Sequence, residues 1–243
     1  MPLRASAIRV LSFDADGTLW DFEAAMRAAL DRVRRELSYL VPTERLPTID
    51  EMASLRDAAA RDLRGASMET IREEGFRRLL RHLGFRDEGL VRRFTALYLD
   101  IRFSAIRLYD DVLPTLDLLG EQYDLGLLSN GNTDPERCGL PGRFRFVVFA
   151  QDHGGIEKPD PRLFEIALAE AGCPPDAMLH IGDSLEHDVA GANGVGIPSV
   201  WLNRDGRRNE TAITPSLEIA SLTELADRLG SSENRRGTDS PGD

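Results

Sequence analysis

Apolar positions along the chain follow two patterns. Short apolar runs that end in polar residues alternate with amphipathic stretches, except that residues 20–107 contain amphipathic stretches alone. The first run, Ile8-Arg9-Val10-Leu11-Ser12, reads as a short buried strand. From Phe22, apolar side chains recur at Met26, Ala29, Leu30, Val33, Leu37 and Leu40, near the helical period, until Pro42 and Pro47 break the pattern. Met52, Leu55 and Leu63 predict a weaker second helix. Ile71, Phe76, Leu79, Leu80 and Leu83 predict a third, ending near Gly84, and Leu90, Val91, Phe94, Leu97, Tyr98 and Ile101 a fourth. Helices in series with no strand between them predict a small bundle inserted after the first strand.

From Asp110 the pattern alternates. Strands are predicted at 124–128, 146–149, 177–181 and 197–202. Between and after them, one helix starts at Asp110 or Asp111 and carries Val112, Leu113, Leu116 and Leu119. Others run from Asp160 or Pro161 through Leu168, around Val189, Ala190 and Ala192, and from Leu222 to Leu229, and a short helical segment follows Thr133. Alternating strands and helices predict an α/β fold, a parallel sheet with helices on both faces. The expected organisation is a core formed by 1–19 and 108–230, a helical insertion at 20–107, and a polar, disordered tail at 231–243.

Composition narrows the setting. A formal net charge of -11 over 243 residues argues against a nucleic-acid-binding surface, which needs a basic face. Two cysteines, Cys138 and Cys173, form no disulfide framework and point to a reducing cytoplasm. No apolar run is long enough for a signal peptide or a membrane span, so no membrane partner is expected. The insertion holds 17 arginines against 15 acidic residues. Most of these arginines are expected on solvated helix faces, with a few left to face an anionic ligand on the core. Of the 30 basic residues one alone is lysine, Lys158. In a chain biased so strongly toward arginine, that lysine reads as kept for a task that needs a compact ammonium rather than a planar fork.

Polar residues cluster at the ends of the predicted strands. Asp14 and Asp16, spaced i, i+2 on one face of an extended chain, follow the first strand, and Gly17 permits the turn after them. Ser129 and Asn130 follow the second strand, and Asp183 follows the 177–181 strand with Asp188 five residues on. Lys158 lies in a strand-to-helix loop. In an open parallel sheet the ligand crevice lies outside the carboxyl ends of the strands, so these residues can converge. The set suits phosphoryl transfer. Asp14 is placed to attack phosphorus, and Asp16 to protonate the leaving alcohol and then activate water. Ser129, the amides around Asn130 and Gly131, and Lys158 are candidates for holding phosphate oxygens. Carboxylates and carbonyls are the hard ligands that Mg2+ uses.

The segments FDADGTL, LLSNG, EKPDPRLF and HIGDSLEHDVAGANGVG resemble, in order, the four motifs of the haloacid dehalogenase superfamily. The resemblance runs from Ile8 to Leu202, with 20–107 in the place of a helical C1-type cap, and it implies a Rossmann-like core. Carried over by motif, it implies Asp14 as nucleophile and metal ligand, and Asp16 as acid and base with its carbonyl on the metal. It implies Ser129 and Lys158 on phosphate, Asp183 on the metal and Asp188 supporting the metal or Lys158. The implied cofactor is Mg2+ and the implied partner a small phosphate ester.

The implied activity is that of a phosphomonoesterase. A 2-haloacid dehalogenase is the first alternative, but the dehalogenases of the family do not keep an acid/base aspartate where Asp16 stands. The phosphonate-cleaving branch needs a cap lysine, and residues 20–107 contain none. A phosphomutase would use the same residues, and a non-catalytic binding protein would not need all of them. The segments from Ser129 to Phe146 and from His180 to Ala192 resemble bacterial phosphatases acting on FMN and the phosphoribityl-aminouracil intermediate. Trp201-Leu202-Asn203 resembles the neighbouring nucleotidase and sialic-acid-phosphate phosphatase branches. Trp20 is expected either to stack on a planar substrate or to pack in the hinge. His180 is expected to be a satisfied buried group, and His153 and His187 to lie at the surface.

Overall fold

The computed structural model describes residues 7–63 and 65–230, so the tail expected at 231–243 lies outside the described residues. Six strands form one sheet: β1 (Val10–Phe13), β2 (Asp124–Ser129), β3 (Phe146–Phe149), β4 (Met178–Gly182), β5 (Ser199–Leu202) and β6 (Leu217–Ile219). Their order is β3-β2-β1-β4-β5-β6, with every neighbouring pair parallel. The order reverses direction between β1 and β4, and there the crevice of a doubly wound sheet opens. Phe13 pairs with Leu127 on one side and Ile181 on the other, which brings the residues just beyond β1, β2 and β4 to one edge.

Strand alternation sorts the core into two faces. Leu11, Phe13, Leu127 and Ile181 pack with residues of α5 (Val112–Gly120) and α8 (Leu222–Gly230). On the other face Val10, Leu128 and Met178 pack with α6 (Pro161–Ala171) and with Ala192 of α7 (Ala190–Gly194). Asp160 caps α6 through its carboxylate, which accepts from Arg162 N at 3.0 Å, and Pro161 follows at the first helical position.

The insertion consists of α1 (Phe22–Leu37), α2 (Ile49–Asp62), α3 (Met68–His82) and α4 (Glu88–Ala105). Its apolar faces form a cluster of their own around Met26, Leu30, Val33, Phe76, Leu79 and Phe94. Thr48 opens α2 with a reciprocal capping box to Glu51. Phe22 touches both this cluster and the core cluster, at the junction of the two parts. No described helix is long and apolar enough to cross a membrane.

Three details depart from the sequence reading. The strand β6 was not expected. The helix around Val189 begins as a wide π turn, Leu185–Val189, which swings Asp188 inward. Asp111 precedes α5 without capping it through its side chain. Its carboxylate instead accepts from Arg204 at 2.9 and 3.0 Å and from Leu222 N at 2.8 Å, a long-range tie that outcompetes the local one.

Candidate active site

The turn after β1 carries Asp14 and Asp16 into the crevice. Gly17 makes that turn with φ +84°, and a Cβ there would stand 2.8 Å from an Asp183 carboxylate oxygen, so the backbone and the acid share space that only glycine leaves. Opposite, a Cβ on Gly182 would fall 2.2 Å from Asp188 Cγ. Glycines at the ends of strands and turns thus let three carboxylates approach. Asp14, Asp183 and Asp188 each place a carboxylate oxygen within 4.8 Å of the others.

Lys158 lies among them, 3% exposed. Its Nζ donates to Asp14 Oδ1 and Asp188 Oδ1, both at 2.6 Å, and to the Leu128 carbonyl at 2.9 Å. Burial opposes the ammonium charge, but the two carboxylates outweigh it and hold Lys158 charged. Asp188 is saturated. Its Oδ1 also meets His180 Nε2 at 3.2 Å and its Oδ2 accepts from Ser184 N at 3.0 Å. Lys158 and His180 hold the Asp188 carboxyl well below the usual carboxylate range despite burial. His180 is itself buried, with Nδ1 at 3.1 Å from Ser12 Oγ, and burial lowers its pKa. It is a satisfied core group, as expected, and it braces Asp188.

One ammonium does not balance three acids. Burial, with the Asp188 and Asp183 charges adding to it, pushes Asp14 up to about 8 against the pull of Lys158. Burial likewise pushes Asp183 up to about 6. The donor set is therefore short of positive charge, and its oxygens are hard. A divalent cation such as Mg2+ fits both requirements. Asp14 Oδ1 is engaged by Lys158 and both Asp188 oxygens are engaged, so Asp14 Oδ2 and the Asp183 carboxylate are the side-chain groups positioned to hold such an ion.

Asp16 is half-buried, and desolvation in the crevice raises its pKa. Trp20 Nε1 donates to Asp16 Oδ1 at 2.6 Å. The Trp20 ring is fully buried, and its backbone bridges Asp16 and Leu108, so it packs in the hinge and orients Asp16 rather than stacking on a substrate. Ser129 closes β2, and its Oγ accepts from Gly131 N at 3.0 Å. The Asn130 side chain clamps the lysine loop: Oδ1 accepts from Lys158 N at 2.7 Å and Nδ2 donates to Lys158 O at 3.0 Å. That side chain serves Lys158, a pairing hidden in the sequence because the partner is 28 residues away.

Beside Asp16 and Asp183 a cavity of about 510 Å³ opens, lined also by Gly17, Phe22, Tyr109 and Arg204. Arg204 stacks over Tyr109 at 4.0 Å and donates to the Thr18 carbonyl at 2.9 Å, pinning the turn that carries the aspartates. Burial pushes the Cys138 thiol up to about 11, which disfavours the thiolate.

All seven predicted residues thus surround one crevice. Sequence reasoning missed the bond from Trp20 to Asp16, the contact of His180 with Asp188 and the place of Arg204, and it did not separate two buried cap arginines, Arg72 and Arg102, from the rest.

A family model described as haloacid dehalogenase-like hydrolase matches residues 8–196. A glyceraldehyde 3-phosphate phosphatase of Methanopyrus kandleri is 29% identical over 239 residues, covering 90% of this chain and 96% of the relative. The pyrimidine 5'-nucleotidase PynA of Streptococcus pneumoniae is 30% identical over 238 residues, covering 91% and 94%. Among solved structures, a 2-haloacid dehalogenase from Pseudomonas syringae pv. tomato superposes with a TM-score of 0.77 at 28% identity, covering 93% of this chain and 99% of that one.

Proposed function

The chain belongs to the haloacid dehalogenase-like hydrolase family, and from that premise we propose that it is a Mg2+-dependent phosphomonoesterase. It acts on a small phosphorylated metabolite through an aspartyl-phosphate on Asp14, with residues 20–107 as its cap. The observation that carries this reading is Asp16, a half-buried second carboxyl with a raised pKa, aimed by Trp20 beside the nucleophile. A dehalogenase has no use for it, because a departing halide needs no proton.

Lys158 donates to Asp14 Oδ1 and so fixes the carboxylate that attacks phosphorus. The bond from phosphorus to the ester oxygen breaks, and Asp16 gives its proton to that oxygen as the alcohol leaves. Asp16, now a carboxylate, takes a proton from water as the water attacks the same phosphorus. Inorganic phosphate departs and Asp14 is regenerated. Lys158 offsets negative charge that gathers on the phosphoryl oxygens, and Ser129 with the amides near Asn130 and Gly131 orients them. A divalent ion held by Asp14, Asp183 and the Asp16 carbonyl would supply further charge neutralisation. Asp188 and His180 position Lys158.

The substrate leads are FMN or phosphoribityl-aminouracil, supported by the core segments, and a nucleoside monophosphate or sugar phosphate, supported by the relatives' names. The two free cysteines agree with work in the cytoplasm. A panel of phosphate esters and 2-haloacids, each with Mg2+ and with EDTA, tests the reading. Phosphate release that needs Mg2+, with no halide release, is expected; halide release in EDTA overturns it in favour of the dehalogenase.

A further inference from the structure

Several arginines on the surface of the cap are matched to carboxylates: Arg27 to Asp50, Arg32 to Glu36, Arg77 to Glu74 and Glu88, Arg78 to Asp62 and Glu74. Arg72 of α3 and Arg102 of α4 are not. They are 8% and 1% exposed, and no carboxylate bonds to either among the described residues. Arg72 Nη2 donates to Asn132 Oδ1 at 2.7 Å, reaching the loop after β2 at the edge of the crevice. Arg102 lies against the Phe22 and Phe103 rings at 5.6 and 4.4 Å, while its Nε and Nη2 are buried without a hydrogen-bond partner.

A buried guanidinium with orphaned donors is costly, and such groups are normally paired. Here Arg102 has the orphaned donors, burial and then the Arg102 charge lower Arg72 below the usual guanidinium range, and both arginine charges favour the Asp16 carboxylate. The arrangement has cation to spare on the cap side of the acid that protonates the leaving group. We propose that Arg72 and Arg102 form a second oxyanion subsite, which receives a carboxylate or phosphate carried by the organic part of the substrate. The fork geometry of guanidinium suits either group. This rests on the phosphomonoesterase reading and narrows its substrate class. Phosphate esters with a second negative charge are set ahead of those whose organic part is neutral, the flavin and nucleoside leads included.

The test is a binding measurement that needs no turnover. Isothermal titration of the full chain with Mg2+ compares phosphonoacetate, 3-phosphonopropionate and 4-phosphonobutyrate with alkylphosphonates of equal length, and 1,3-propanediphosphonate with propylphosphonate. At least one acid is expected to bind about ten- to a hundredfold more tightly than its neutral match, the range of hydrogen bonds to charged groups. Arg72→Met and Arg102→Met should each reduce that ratio to below about threefold, the ratio cancelling losses common to both ligands. Which series shows the effect separates carboxylate from phosphate. Ratios near one throughout in the wild type, or a ratio unchanged in both variants, overturns the subsite. If one variant fails to fold, the other and the wild-type comparison decide. Failure of the phosphatase reading shows separately, as absent phosphate release with the acid-to-neutral ratio intact.

Discussion

Replacing Lys158 with arginine keeps the charge and tests whether charge suffices. The Lys158 Nζ makes three short bonds, to Asp14, Asp188 and Leu128, at 2.6, 2.6 and 2.9 Å, from a side chain 2% exposed. A guanidinium is planar and wider, and a buried position leaves it little room. Overpacking of this kind costs about 1–3 kcal/mol of stability. More telling is the effect on Asp14, whose Oδ1 must follow its partner. A shift of roughly 1 Å in the nucleophile is worth on the order of 10²-fold in rate, or about 2.7 kcal/mol of barrier. Lys158→Arg should therefore remain folded by thermal melt and lose about a hundredfold in kcat/KM for p-nitrophenyl phosphate with saturating Mg2+. Activity within about threefold of wild type would show that geometry at this position is unimportant, and would refute the reasoning.

Trp20→Phe keeps the hinge packing but removes the donor to Asp16; alkyl phosphates, which need a proton on departure, should slow by about ten- to a hundredfold, and p-nitrophenyl phosphate much less, in steady-state assays. Asn130→Ala breaks both clamps on the Lys158 backbone and should lower kcat about tenfold with KM nearly unchanged, whereas a rise in KM alone would place the Asn130 side chain on phosphate. Gly17→Ala thrusts a methyl group at Asp183 and should raise the Mg2+ concentration for half-maximal activity by about ten- to a hundredfold, read by metal titration of turnover.

The core strands were legible because each is a short apolar run that stops at a polar residue, and in a parallel sheet those stops share one edge. Asp14, Ser129 and Asp183 were found in this way. Lys158 was found by its rarity in the chain, and its ion pairs with Asp14 and Asp188 span 144 and 30 residues. What escaped the sequence depends on tertiary neighbours. The strand β6 has three residues, Leu217, Glu218 and Ile219, too few to show a period. Asp111 had the local look of a helix cap, yet Arg204 and Leu222 claim its carboxylate from 93 and 111 residues away. Arg72 and Arg102 are indistinguishable in sequence from the cap arginines that meet solvent, since only the packing of α3 and α4 buries them. His180 looked like any polar residue in a buried strand, and its contact with Asp188 exists because a π turn brings that acid back over β4.

The covalent step on Asp14 is the claim on which the rest stands. It is tested directly by acid-quenching the enzyme during turnover of a phosphate ester with Mg2+ and mapping its peptides by mass spectrometry. The account predicts one added phosphoryl group on the peptide that carries Asp14, localised to that residue and absent from Asp14→Asn, which should also be inactive. An Asp14→Asn enzyme that turns over at the wild-type rate, or a phosphoryl group found on another residue, would contradict it.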